Sequence, residues 1–244
     1  MTHDRPFHVA IPARSASTRL PNKPLLEIAG KPMLQWVFEH ARQSGAASVV
    51  IAAGDEAVAV CARSIGAAVW ITRPDHPNGT ARLGELLEYL DWDADAIVVN
   101  VQADEPMLPP ALIAQVAGNL AARDEAFAAT LCEPLGEGDW DRAQVVKVWR
   151  DEEGYAEGFS RVPRQIEETR CQRHLGIYAY RAGGLARYVK LPPAPQELEE
   201  SLEQCRMLHH GLRVHVESGV EATSPGVDTP EDLARVRAAM EALA

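Results

Sequence analysis

Three cations crowd one short stretch, "PARSASTRLPNK": Arg14, Arg19 and Lys23, with Ser15, Ser17 and Thr18 between them. Guanidinium forks, an ammonium, hydroxyls and loop N–H groups are the donors a chain of phosphates needs. A solvated loop with incidental charge has the same composition, so both readings stand at this point. The stretch is neither G-x-x-x-x-G-K-[ST] nor G-x-G-x-x-G. Two further places carry carboxylates. Asp104 and Glu105 follow the apolar run "IVVNVQ", and Asp228 ends "SPGVD". Carboxylates just past a central strand suit a hard divalent ion such as Mg²⁺, with Asp104 and Asp228 as the two ligands. Helix capping is the plain alternative for Asp228, although Thr229 already fits that role.

Other groups are less decisive. In "PNGTAR", 77–82, Asn78, Thr80, Arg82 or the local N–H groups could read a base or ribose, and capping alone would explain Asn78 or Thr80. Arg161, Arg164, Arg170 and Arg173 form a basic insert, suited to an anionic substrate or to plain solvation. His174 follows it and could line a polar site. "DWDAD", 91–95, holds two D-x-D triplets, which invites a glycosyltransferase reading; an acidic turn is the preferred one.

These residues need a scaffold, and the chain supplies a regular one. Phe7 to Ile11 reads as a strand. Pro32 can open a helix as its first residue, with Met33, Leu34, Val37, Phe38 and Ala41 as its apolar stripe and Gly45 at its end. Ser48 to Ala52 is a strand; Asp55 caps a helix burying Val58, Cys61, Ala62 and Ile65, closed by Gly66. Ala68 to Ile71 is strand-like, 80–90 amphipathic, and "AIVVNV", 96–101, reads as a central parallel strand covered on both faces. Residues 109–123 return to helix. The order predicts an α/β, doubly wound, mostly parallel sheet, whose ligands bind at the carboxyl ends of strands. In the second half, 145–149 and 155–159 pair as strands, and His174 to Tyr180 is another. An acidic helix spans about 197–208, with Leu198, Leu202 and Cys205 on one face. Arg213 to Val216 is a strand, and "DTPED" starts the last helix with Thr229 as N-cap.

The bulk numbers narrow the class. The chain has 244 residues, 46% of them hydrophobic, and a formal net charge of −11. That suits one large α/β domain and argues against a nucleic-acid binder. Cys61, Cys132, Cys171 and Cys205 are scattered without a C-x-x-C, as reduced cytoplasmic thiols would be. No run approaches the roughly 18 apolar residues of a membrane span, and Met1 to Pro6 shows no signal-like apolar core.

In order along the chain, "IPARSASTRLPNKPL", "GKPMLQWV", "NGTARL", "IVVNVQADEPM", "VVKV", "FSR", "RHLGIYAYR", "ESLEQCRML" and "GVDTPEDLARVR" make it similar to the 3-deoxy-manno-octulosonate cytidylyltransferase (CMP-Kdo synthetase) family over nearly its whole length. The resemblance implies a Rossmann-like nucleotidyltransferase fold, a single domain over 1–244. Residues 1–135 would mainly bind CTP, and 136–220 would form a smaller sugar-binding and dimer-contact region. It implies that the hydroxyl of an eight-carbon sugar acid attacks the α-phosphorus of CTP, giving a CMP-sugar for lipopolysaccharide assembly and pyrophosphate. Arg14, Ser17, Arg19 and Lys23 would surround the triphosphate, and Asn78, Gly79 and Arg82 the base. Asp104 and Asp228 would hold Mg²⁺. Gln102, Arg161, His174, Tyr178, Glu200, Glu203 and Gln204 would face the sugar. A cytoplasmic homodimer is implied as well.

The chain departs from the family pattern at Ser15, Asn22, "AAGD", Ala103 and Ala81, and 159–174 is shortened. These changes keep open the same chemistry on a modified acid such as 8-amino-8-deoxy-Kdo, or a catalytically silent nucleotide-binding regulator.

Overall fold

The computed structural model describes residues 6–17, 19–163, 166–224 and 226–242; Thr18, Arg164 and Pro225 lie outside the described residues. The first half alternates strand and helix as the apolar periodicity predicts. Its elements are β1 (Phe7–Ala13), a two-residue hairpin β2 (Glu27–Ile28) and β3 (Lys31–Pro32), α1 (Met33–Gln43), β4 (Ser48–Ala53), α2 (Glu56–Ser64), β5 (Ala68–Ile71), α3 (Gly79–Tyr89), β6 (Ile97–Asn100) and α4 (Pro110–Ala121). The second half holds β7 (Ala128–Glu133), β8 (Lys147–Arg150), β9 (Ala156–Ser160), β10 (Gln172–Arg181), α5 (Ala182–Tyr188), α6 (Pro195–Glu200), α7 (Gln204–His209), β11 (Val214–Ser218) and α8 (Pro230–Glu241).

The main sheet runs β11-β7-β10-β6-β1-β4-β5, with β8 and β9 attached beside β10. All neighbours on the main path are parallel except β10, which runs antiparallel to β6 and β7. Successive residues of β1 face opposite sides, so Val9 and Ile11 join one core while Ala10 joins the other. Helices α1, α2 and α4 cover the first face; α3 and α5 cover the second. From β1 the chain builds outward to β4 and β5 on one side, then returns to β6 on the other. The crevice at the carboxyl ends of β1 and β6 is therefore the topological switch point. Ala10 pairs with Asn100 there, which sets the cationic loop after β1 beside Gln102–Asp104 after β6.

A third, smaller core fixes the last helix. Leu233, Val236 and Met240 of α8 pack on Leu20, Ile28 and Met33, so α8 sits against the segment that closes the cationic loop. Thr229 caps α8 with a capping box, as its sequence predicts.

Four expectations change. Pro32 pairs within β3 and occupies the cap position, so α1 begins at Met33. β7 and α5 were not foreseen. β7 is buried at nearly every position and shows no alternation that would separate it from helix. The predicted helix over 197–208 is two helices, α6 and α7, parted at Ser201, which adopts a left-handed φ of 53°. Leu202 N–H bonds back to Glu197 O at 3.2 Å, a Schellman-type stop. The break turns Leu202 and Cys205 inward but leaves Leu198 68% exposed, so the three do not share a face.

Leu233→Ala should lower the urea midpoint by the equivalent of about 2–4 kcal/mol, because it empties the small core that seats α8.

Candidate active site

Asp55 shapes the cationic loop. Its carboxylate caps α2 by accepting Val58 N–H at 3.0 Å, and it also accepts Ser15 N–H at 2.7 Å and Ser15 Oγ–H at 2.9 Å. Asn22, in the left-handed region, donates its N–H to Ser15 O at 3.0 Å and closes the loop. Ser17 Oγ accepts from Leu20 N–H at 3.4 Å. Asp55 is thus a support of the loop as well as the cap its sequence predicts, and the Ser15 hydroxyl is turned to Asp55.

Arg14, Ser17, Arg19, Lys23, Asn78, Gly79, Arg82, Gln102 and Asp104 all line one cavity of about 350 Å³. Asp228 joins them through Lys23. The Lys23 ammonium donates to Asp104 Oδ2 at 2.7 Å and to Asp228 Oδ1 at 2.9 Å. Arg19 Nη2 lies 3.1 Å from the same Asp228 oxygen. Burial alone would lower the Lys23 pKa, but the two carboxylates outweigh it and hold it raised. The Lys23 side chain is 14% exposed and that of Arg19 60%, so the lysine sits in the floor of the cavity and the arginine at its exposed rim.

The base-side residues divide their work. Asn78 Oδ1 is spent on capping α3 at Ala81 N (2.8 Å), which leaves its amide hydrogens. Gly79 has no room for a side chain: a Cβ would stand 2.9 Å from Pro12 Cγ and 3.4 Å from Gln102 Oε1. Arg82 is 2% exposed. Its Nη1 donates to Thr72 Oγ1 at 2.5 Å and Arg73 O at 2.9 Å, while Nη2 has no partner among the described residues. Desolvation, then the neighbouring Arg14, lower its pKa. Both arginines pass over Gly54, where a Cβ would come within 2.8 Å of each. Gly54 therefore belongs to the site, and a glycine directly after a strand end was the available signal.

The sugar-side candidates separate into two groups. A buried polar chain runs from Gln102 Nε2 to Asn100 Oδ1 (3.3 Å), from Asn100 Nδ2 to Thr80 Oγ1 (3.3 Å), and from Thr80 to the Glu203 carboxylate. Thr80 thus serves Glu203 and does not line the nucleotide-side cavity. Glu203 Oε2 and Tyr178 OH are buried without partners, and burial raises the Glu203 pKa despite the Thr80 bond. His174 packs edge-on to Phe159 and lies 3.0 Å from Thr130 Oγ1. Thr130 Oγ1 also has Ile177 O at 2.7 Å and Leu175 O at 3.1 Å within reach; with its one proton on either carbonyl, His174 Nε2–H is the donor. Gln204 is buried at the start of α7. Arg161 and Glu200 instead face a second cavity of about 660 Å³ with Trp149 and Val162. There Arg161 Nε donates to Glu200 O (2.8 Å), and Glu200 Oε2 accepts Arg161 N–H (2.6 Å). The structure does not bring these two to the cationic loop. Arg170 and Arg173 of the basic insert pair with Glu157 and Glu133.

"DWDAD" lies before β6, at the end of that strand opposite the cavity; its aspartates are exposed, and Asp93 O closes a turn with Ala96 N–H at 2.9 Å. The acidic-turn reading holds there. Among the described residues no three His, Cys, Asp or Glu side chains form a metal cluster. Two carboxylates already converging on one cation do fit Mg²⁺, which commonly takes one or two protein carboxylates and fills its shell with phosphate oxygens and water.

A family profile described as Cytidylyltransferase matches residues 9–216. The chain is 50% identical over 250 residues to a 3-deoxy-manno-octulosonate cytidylyltransferase of Pseudomonas fluorescens, covering 97% of this chain and 98% of that one. The chain belongs to the 3-deoxy-manno-octulosonate cytidylyltransferase family. A relative from Vibrio parahaemolyticus with the same description is 48% identical over 95% of this chain and 97% of its own. A solved structure of CMP:2-keto-3-deoxy-manno-octonic acid synthetase complexed with CTP superimposes with a TM-score of 0.90 at 39% identity, covering 98% of this chain and all of that one. A 4-diphosphocytidyl-2C-methyl-D-erythritol synthase, at 15% identity and a TM-score of 0.68, shares the fold. Among the described residues no helix is long and apolar enough to cross a membrane.

Asp55→Ala should cost about 1–2 kcal/mol in urea unfolding, since a cap is lost together with both Ser15 bonds. A pH effect follows from His174. Burial holds its pKa at about 3, against 6.5 for a free histidine. The unfolded chain then binds a proton the fold refuses. Its stability contribution is complete above about pH 6.5 and is lost as pH falls toward 3. Buried His215, held at about 4, adds a loss of the same sign, whereas Glu105, pushed up to about 7 by burial and by Asp104, acts in the opposite sense. The readout is therefore a difference: between about pH 7 and 5, His174→Gln should lose less stability than the unmutated chain.

Proposed function

We propose that this chain transfers the cytidylyl group of CTP to the anomeric hydroxyl of 3-deoxy-manno-octulosonate, releasing pyrophosphate, as a step toward lipopolysaccharide. The observation that carries the site assignment is one cavity lined by Arg14, Arg19, Lys23 and Asp104, with Asp228 drawn in through Lys23. In this reading Arg14, Arg19, Lys23, Ser17 and the loop N–H groups bind the triphosphate. A triphosphate brings about four negative charges, and fixed cations stabilise both the crowded α-phosphoryl group and the departing pyrophosphate. Arg82 through its free Nη2, the Asn78 amide and the Gly79 backbone face cytosine.

The sugar would lie toward Gln102, His174, Tyr178, Glu203 and Gln204, behind which Tyr178 OH and Glu203 Oε2 are buried with no partner among the described residues. Arg161 and Glu200 would reach it from the second cavity. The sugar oxygen forms the new bond to the α-phosphorus, the bond to the β-phosphate oxygen breaks, and pyrophosphate takes that electron pair. Holding the hydroxyl in line is the protein's second contribution. Asp104 and Asp228 would hold Mg²⁺, which when bound would neutralise phosphate charge. The same reading includes a cytoplasmic homodimer with contacts in 136–220, while 1–135 chiefly binds nucleotide.

The silent-regulator alternative finds no support in the geometry. Ala103 is buried beside the site, yet Asp104 still reaches Lys23 at 2.7 Å.

Protein, CTP, Mg²⁺ and Kdo should release pyrophosphate, and a panel including 8-amino-8-deoxy-Kdo should rank Kdo first. Turnover of the amino sugar alone would reassign the substrate, and no turnover of either would overturn the reading. Asp104→Ala should lower kcat by about 10²- to 10³-fold, a loss typical of removing one charge-stabilising group.

A further inference from the structure

Two arginines of the nucleotide-side cavity, Arg14 in the cationic loop and Arg82 on the base side, are aimed by one short loop. Arg14 Nη1 donates to His76 O at 3.2 Å, and Arg82 Nη1 donates to Arg73 O at 2.9 Å. Both acceptors lie in the connection from β5 to α3. Arginine offers five donors in a rigid fork, so two carbonyls placed by the backbone set the direction in which the remaining donors point.

That loop is fastened from outside the cavity by a single carboxylate. Glu85, on α3, accepts Arg73 N–H at 3.0 Å, and its Oε2 also contacts His76 Nε2. Tyr89 OH donates to Oε1 at 3.1 Å, and Arg73 Nε stands 3.5 Å away. The Glu85 and His76 side chains are 10% and 6% exposed, whereas Arg73 and Tyr89 stand out in solvent. Glu85 does not line the nucleotide-side cavity; it faces a separate depression with Arg73, His76 and Tyr89. It grips the loop at residues 73 and 76, the same two residues whose carbonyls grip the arginines.

We propose that Glu85 is a positioning residue for nucleotide binding: it pins the Arg73–His76 backbone, and through those two carbonyls orients Arg82 and Arg14. This rests on the reading that Arg14 and Arg82 face the nucleotide. Glu85 touches no substrate, so its effect reaches CTP only through Arg82 and Arg14 and leaves the sugar side alone.

The test is calorimetric titration of CTP without sugar, beside steady-state kinetics. Glu85→Ala should weaken CTP binding and raise its KM about tenfold, with the sugar KM within about twofold. Glu85→Gln, which keeps the shape and one acceptor oxygen, should show about a threefold loss. In an Arg14→Ala/Arg82→Ala background, Glu85→Ala should add less than about twofold, because residues acting through one another are not additive. Unchanged CTP affinity in both Glu85 variants overturns the proposal, and so does a full additional loss in the arginine-deficient background. Should Glu85→Ala fail to fold, the Gln variant is judged by the same criteria. If the arginine-deficient chain binds CTP as the unmutated one does, the reading of the cavity falls first, and the proposal with it.

Discussion

The Lys23 ammonium between Asp104 and Asp228 is the contact on which the site depends, since it joins segments 81 and 205 residues away. Two carboxylates brought together repel, and the repulsion grows as water is excluded. A lysine fixed between them removes that cost. The fold must deliver all three parts: the loop after β1, the strand end of β6 and the approach to α8. The first two are neighbours through sheet register. The third depends on Leu233, Val236 and Met240 finding their small core.

The first half of the fold was legible because its signals are local. The α1 stripe, the Asp55 cap and the apolar run of β6 each fit within one element, and alternating strands and helices left one economical topology. The cationic loop and Asp104 were legible for the same reason, since each sits at a strand end. Asp228 was different. Its sequence reads as the approach to a capped helix, and only packing of that helix on Ile28 and Met33 shows why it meets Lys23. The 197–208 segment misled because its charge pattern runs on through Ser201, while the stop there comes from backbone geometry and inward demand at Leu202. Glu85 was invisible for the opposite reason. A glutamate within a helix is normally solvated, and its partners come from a loop nine and twelve residues earlier.

Carboxylates do most of the structural holding around a site made for an anion. Asp55 anchors the start of the cationic loop, Glu85 grips the loop behind the arginines, and Asp104 with Asp228 hold Lys23. Asp55 and Glu85 are paired with backbone amides and take no donor from the cavity's cations, whereas Asp104 and Asp228 share Lys23. A chain with net charge −11 can therefore present a locally basic cavity, with Asp55 and Glu85 committed to backbone amides and Asp104 and Asp228 each paired with a cation.

The polar atoms left unpaired show where stability has been given up. Among the described residues, the buried side-chain atoms without partners include Arg82 Nη2, Tyr178 OH and Glu203 Oε2. Each such atom costs about 1–3 kcal/mol relative to a satisfied one. A fold selected for stability alone would pair them, and Thr130 and Thr80 stand near enough to show that small hydroxyls are available. These three atoms instead lie at the base-facing cavity and along the buried chain leading from Gln102 to Glu203. A nucleotide base and a polyhydroxylated acid both carry the complementary donors and acceptors. In the proposed reading, the unpaired atoms would convert a folding penalty into binding energy when the substrates enter, and in doing so would discriminate against ligands that leave them unpaired.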